Sequence, residues 1–267
     1  MSLVSTERRG GVAIVTYANP PIGTMTAAGA GEMLEAMTTL AEDDAVRAVV
    51  ITGGMRGIFI RHYDVGELST ASDRLAEPAP AAPPPSTEQP QRPGGYLGLV
   101  DLIAAMGKPV IAAINGLCMG GGFELTLACD IRVAGRDVTS IGLPETRVGI
   151  FPGGGGTQRL PRVIGEAKAL EMILRGIVVD GPRAFELGMV HEIADDPLAR
   201  ALEIAAEFEG RGAEGVAFAK RLTRAALDRP LAEGLADERA SFGAVMRTAS
   251  AREALRAARA PARIQDA

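Results

Sequence analysis

The chain has 267 residues, 47% of them hydrophobic and 23% charged, the balance of a soluble globular protein. Its formal net charge of −5 argues against a nucleic-acid surface. No apolar run approaches the roughly 20 residues that span a bilayer, so no membrane partner is expected.

Residues 1–11 carry two arginines without the apolar stretch of a secretory signal. Residues 11–17 (GVAIVTY) are apolar and β-branched and predict a buried strand. Thr26 suits an N-cap for a helix to about Glu42, in which Met33, Leu34, Met37, Leu40 and Ala41 recur at helical spacing. Further strands are expected over 46–51, 109–114, 130–134, 138–141 and 177–179, with helices near 97–106, 156–164, 166–174 and 182–187. From Pro197 onward the pattern is helical only. Strands separated by helices predict an α/β fold with largely parallel sheets. Residues 71–95 hold seven of the 17 prolines and few large apolar side chains, and read as a mobile surface loop. Cys118 and Cys129 sit in apolar stretches and read as reduced buried thiols, so the expected location is cytoplasmic.

Only two histidines, His62 and His191, are present, so a multi-histidine metal site is excluded. His191-Glu192 begins like a zinc-binding helix, but Asp195 stands where the second histidine would be. No G-x-S-x-G elbow occurs, and the glycine runs at 120–122 and 153–156 fit neither a dinucleotide fingerprint nor a P-loop.

The chemistry concentrates in residues 110–159. A strand ending at Ile114-Asn115-Gly116 leads to Gly120-Gly121-Gly122-Phe123-Glu124, which opens a helix. Helix starts expose backbone N–H groups without intrahelical acceptors, and the helix dipole adds positive potential there. Glycines let a ligand oxygen approach that backbone closely. The same features also serve tight packing, and Glu124 or Glu145 alone is an ordinary first-turn or loop carboxylate.

Taken together, these stretches resemble the crotonase (enoyl-CoA hydratase/isomerase) superfamily over nearly the whole chain. The resemblance rests on Ile114-Asn115-Gly116 with Gly120 to Leu125 and Ala128-Cys129-Asp130, then on Pro144-Glu145, Gly149 and Phe151 to Leu160. A weaker match runs from Val46 to Gly53 and on to Phe59 and Asp64 to Leu68. The resemblance implies a spiral of ββα turns over residues 1–196 and a helical C-terminal region, 197–267, that assembles homotrimers or hexamers. It implies an acyl-CoA substrate, with coenzyme A entering only as part of that substrate and no separate cofactor or metal. The thioester oxygen would be held by the N–H groups of Tyr63 and Gly121. Glu124 would activate water and Glu145 would protonate the α-carbon; retention of both favours hydratase over isomerase. Met25, Arg61, His62, Asp64, Gly120 and Gly122 would line the substrate and CoA site. Lys220 and Arg221 could reach a phosphate, although a solvated helix face is the preferred reading.

One departure stands out. The family's Ala-Gly is replaced by Arg61-His62, at a place where glycine permits a tight bend. Either the backbone holds and Arg61 or His62 contacts the ligand, or the pocket and its activity are altered; Arg61 facing water is a third reading. The proline-rich segment follows at once and would suit a lid over the acyl pocket.

Overall fold

The computed structural model describes residues 2–77 and 94–259. Two sheets alternate along the chain. The first runs β1 (Val4–Arg9), β2 (Val12–Tyr17), β3 (Ala48–Gly53), β5 (Val110–Ile114), β7 (Ile131–Gly135), β10 (Glu192–Ala194), in that spatial order. All its neighbours are parallel except the β1–β2 hairpin. The second contains β4 (Gly57–Ile60), β6 (Gly116–Met119), β8 (Ile141–Gly142) and β9 (Val178–Val179). The pairs β3–β4, β5–β6 and β7–β8 thus each lay one strand in each sheet before helical chain returns, which is the ββα spiral that the resemblance implies.

The central strands are apolar on both faces because both are covered. Val49, Ile51, Val110, Ala112 and Ile114 join the main core with Met33 and Met37 of α1 (Ala27–Glu42). The alternate residues Ala48, Val50, Ile111 and Ala113 meet Ala201, Ile204 and Ala205 of α8 (Pro197–Ala206). In packing terms α8 therefore belongs to the layered core, although it lies beyond the boundary drawn at residue 196. Thr26 caps α1 as expected, its side chain accepting from the Gly29 N–H at 3.1 Å.

Part of the proline-rich stretch is ordered. Residues 71–76, expected in the loop, complete α2 (Val65–Ala76), whose N-cap Asp64 accepts from the Glu67 N–H. This helix buries no residue: Val65, Leu68 and Leu75 recur on one helical face yet stay exposed. Residues 78–93, with the suggested lid, lie outside the described residues, and Gly95 at the end of the stretch already begins a helix. Among the described residues no helix is long and apolar enough to cross a membrane.

The reading of Lys220 as a solvated side chain is corrected. It lies on α9 (Ala213–Ala225), only 9% exposed, with Nζ 2.7 Å from Asp130. It also donates to the Ile103 and Lys108 carbonyls. Arg224 joins the same carboxylate at 2.8 Å. Its neighbour Arg221 does face solvent and pairs with Asp237.

Candidate active site

The site is built where the second sheet hands over to α4 (Gly121–Ala128). β6 ends at Met119, and Gly120 turns the chain with φ of 50°, a left-handed value that side chains rarely adopt. The Gly120 N–H donates to the Gly142 carbonyl at 2.9 Å, fixing the start of the helix against β8. Gly122 packs on β4 so tightly that a Cβ there would lie 2.0 Å from the Ile60 carbonyl oxygen. It serves close helix–strand approach. That approach brings Gly121 beside Tyr63: a Cβ on Gly121 would sit 3.4 Å from the Tyr63 nitrogen. Neither the Tyr63 nor the Gly121 N–H donates to another group among the described residues.

The Arg61-His62 segment keeps a regular backbone. Arg61 N–H donates to Gly23 O at 2.9 Å, Met25 N–H to His62 O at 2.8 Å and Asp64 N–H to Met25 O at 2.8 Å. No residue other than glycine has a positive φ among the described residues, so His62 needs no glycine-only conformation. His62 Nδ1 lies 2.7 Å from the Tyr63 carbonyl oxygen. Arg61 is exposed and Met25 fully buried. Both oxygens of Asp64 are taken up within the protein, one by the Glu67 N–H and one by the Thr24 hydroxyl at 3.0 Å.

Glu124 is 3% exposed in the first turn of α4. Its Oε1 accepts from the Gly154 and Gly156 N–H groups, both at 2.8 Å, at the start of α5 (Gly156–Ile164). Burial raises its pKa, while those two N–H groups and Arg159 oppose the rise by favouring the anion. Glu145 opens the 3-10 turn Glu145–Val148 and reaches back to the same corner, Oε1 lying 3.2 Å from where a Gly120 Cβ would be. Its Oε2 is buried without a hydrogen-bond partner among the described residues. Burial, with the Glu124 charge adding to it, pushes Glu145 up to about 7. Burial thus pushes both carboxyls up; two backbone donors oppose the rise at Glu124, whereas Glu145, whose Oε2 has no partner among the described residues, is pushed to about 7.

Sequence reading missed Tyr96, on α3 (Gly95–Ala105). Its hydroxyl donates to the Gly121 carbonyl and its ring packs edge-on against Tyr63, centroids 5.5 Å apart. In sequence it is one more helix tyrosine; only the fold carries it into the site. No cluster of three or more metal-ligating side chains occurs among the described residues.

A carboxyl pair of split character beside a glycine-started helix, set in a ββα spiral, defines a crotonase-type protein. The enoyl-CoA hydratase/isomerase family profile matches residues 7–261, and the chain belongs to that family. Among curated proteins, it is 35% identical to the putative enoyl-CoA hydratase/isomerase YngF of Bacillus subtilis, over 96% of this chain and 94% of that one. The mitochondrial methylglutaconyl-CoA hydratase of Rattus norvegicus is 36% identical over 83% of this chain and 68% of its own length. Among solved structures, the enoyl-CoA hydratase from Bacillus anthracis superposes with a TM-score of 0.83 at 28% identity, covering 96% of this chain and 95% of that one.

Proposed function

We propose that this chain is an enoyl-CoA hydratase, adding water across the α,β double bond of an acyl-CoA thioester. The observation that carries the reading is the contrast between Glu124, braced by two N–H donors, and Glu145, raised to about 7. In the proposed step Glu124 takes a proton from water, whose oxygen bonds to the β-carbon. The π electrons move to the thioester oxygen, held by the Tyr63 and Gly121 N–H groups, and Glu145 gives its proton to the α-carbon. Donors of this kind contribute a factor of ~10²–10³ each when aimed at the developing charge. The reaction needs no cofactor beyond the coenzyme A of the substrate. Exposed Phe151, Leu231 and Phe242 supply apolar surface suited to the homotrimer or hexamer that the family likeness suggests.

The unpartnered Oε2 of Glu145 also suits a second reading, an isomerase in which Glu145 alone shuttles the proton. Loss of enoyl-thioester absorbance with crotonyl-CoA separates the two. Under the hydratase reading Glu124→Gln and Glu145→Gln each lose activity by a factor of ~10²–10⁴. An isomerase tolerates the first change, and a protein that only binds acyl-CoA turns over no enoyl or hydroxyacyl ester.

A further inference from the structure

The two N–H donors of the proposed reaction stand on two separate pieces of backbone, each tied by its own hydrogen bonds. Gly121 is the first residue of α4, and its N-cap Gly120 brings no side-chain hydrogen bond. Tyr63 belongs to a single isolated bridge with Met25 rather than to a strand. Tyr96 touches both donor residues. Its hydroxyl donates to the Gly121 carbonyl, and its ring meets the Tyr63 ring at 74°. A third contact backs onto the loop that braces Glu124: a Cβ on Gly154 would lie 2.6 Å from Tyr96 Cε1 and 2.7 Å from Glu124 Oε2.

We propose that Tyr96 is a positioning residue that fixes the spacing and aim of the Tyr63 and Gly121 N–H groups, and thereby sets how strongly the site polarises a thioester carbonyl. This rests on the hydratase reading and its assignment of those two donors. The physical reason is the steep geometry of such sites. A donor contributes when it points at the place the oxyanion will occupy, and small displacements forfeit much of the benefit. The Tyr96 hydroxyl is engaged with a backbone carbonyl, so its effect passes through Gly121 rather than to the reacting atoms. Burial, with Glu124 and Glu145 nearby, pushes the phenol pKa well up, so the group remains a donor across the working range.

The test uses a chromophore that reports carbonyl polarisation without turnover. Cinnamoyl-CoA is bound to full-length Glu124→Gln protein and to the Glu124→Gln/Tyr96→Phe double variant, and the absorption maximum of the bound thioester is measured. Kinetics with crotonyl-CoA are run on Tyr96→Phe alone, with folding of each variant checked by circular dichroism. The expected result is a red shift in Glu124→Gln that shrinks in the double variant. In the kinetics, kcat should fall about tenfold, with KM within about twofold. The Glu124→Gln/Tyr96→Ala variant should abolish the shift. An undiminished shift in the Tyr96→Phe background overturns the proposal, whether or not kcat falls. If Glu124→Gln itself binds the ligand and shows no shift, the assignment of the two donors fails, and this inference falls with it.

Discussion

The Gly154 N–H donates to Glu124 Oε1 at 2.8 Å while the Gly154 carbonyl accepts from Arg159 Nη1 at 2.9 Å, so one peptide segment links the buried carboxylate to a guanidinium. No side chain fits at this point. A methyl group on Gly154 would meet Glu124 Oε2 at 2.7 Å and Tyr96 Cε1 at 2.6 Å. Gly154→Ala should therefore displace Glu124 and cost roughly 100-fold in kcat/KM. Hydration of crotonyl-CoA measures it; an alanine variant with native rates would remove Glu124 from the chemistry.

The pH behaviour follows from Glu145. With its pKa near 7, the proton it would deliver is lost as pH rises, so kcat should fall on the alkaline side of about 7. Stability moves with it. The folded value lies above the ordinary 4.5, so the carboxyl's contribution is fully present below about 4.5 and is lost as pH rises through about 7. Glu145→Gln should then gain stability over the parent at pH 8 by roughly 1–3 kcal/mol, and little at pH 4. Urea melts at the two pH values decide it; equal differences at both would contradict the raised pKa.

Asp130 holds a buried lysine and an arginine at once. Asp130→Ala strands the Lys220 ammonium, whose pKa burial already lowers, and should cost about 3–5 kcal/mol. Asp130→Ala/Lys220→Met should recover part of that loss, because no uncompensated charge remains. Equilibrium denaturation of the single and double variants provides the comparison.

Arg61 is exposed on a segment whose backbone is well tied, so its side chain can change without disturbing its neighbours. If it meets a CoA phosphate, Arg61→Ala raises KM severalfold at low ionic strength and the difference shrinks with salt, while kcat holds. An unchanged KM at low salt assigns Arg61 to solvent.

What the sequence made legible was whatever local chemistry or apolar period dictates. β2, β3 and β5 announce themselves as buried β-branched runs, and α1 shows both its cap at Thr26 and its apolar stripe. β1 (VSTERR) is mostly exposed and polar, and becomes a strand only by pairing with β2. β4, β6 and β8 are two to four residues long and owe their state to neighbours far along the chain. The same divide runs through the site. Glu124 and Glu145 stand in recognisable motifs, whereas Tyr96 acquires its place only when α3 docks. The buried charge of Lys220 is equally invisible, because a helix lysine and a core lysine read alike until the partner carboxylate is placed.

Arg224 reaches beyond Asp130 to the Ala128 carbonyl, the last residue of α4. The eight-residue helix that presents Gly121 at one end is thus gripped at the other by the tail, across a rod of about 12 Å. The C-terminal region is therefore no interchangeable module. Grafting residues 1–196 onto a foreign C-terminal segment, or shuffling tails between relatives, would have to carry counterparts of Lys220 and Arg224 along with it. Where those are lost, the graft should loosen α4 and with it the placement of Gly121.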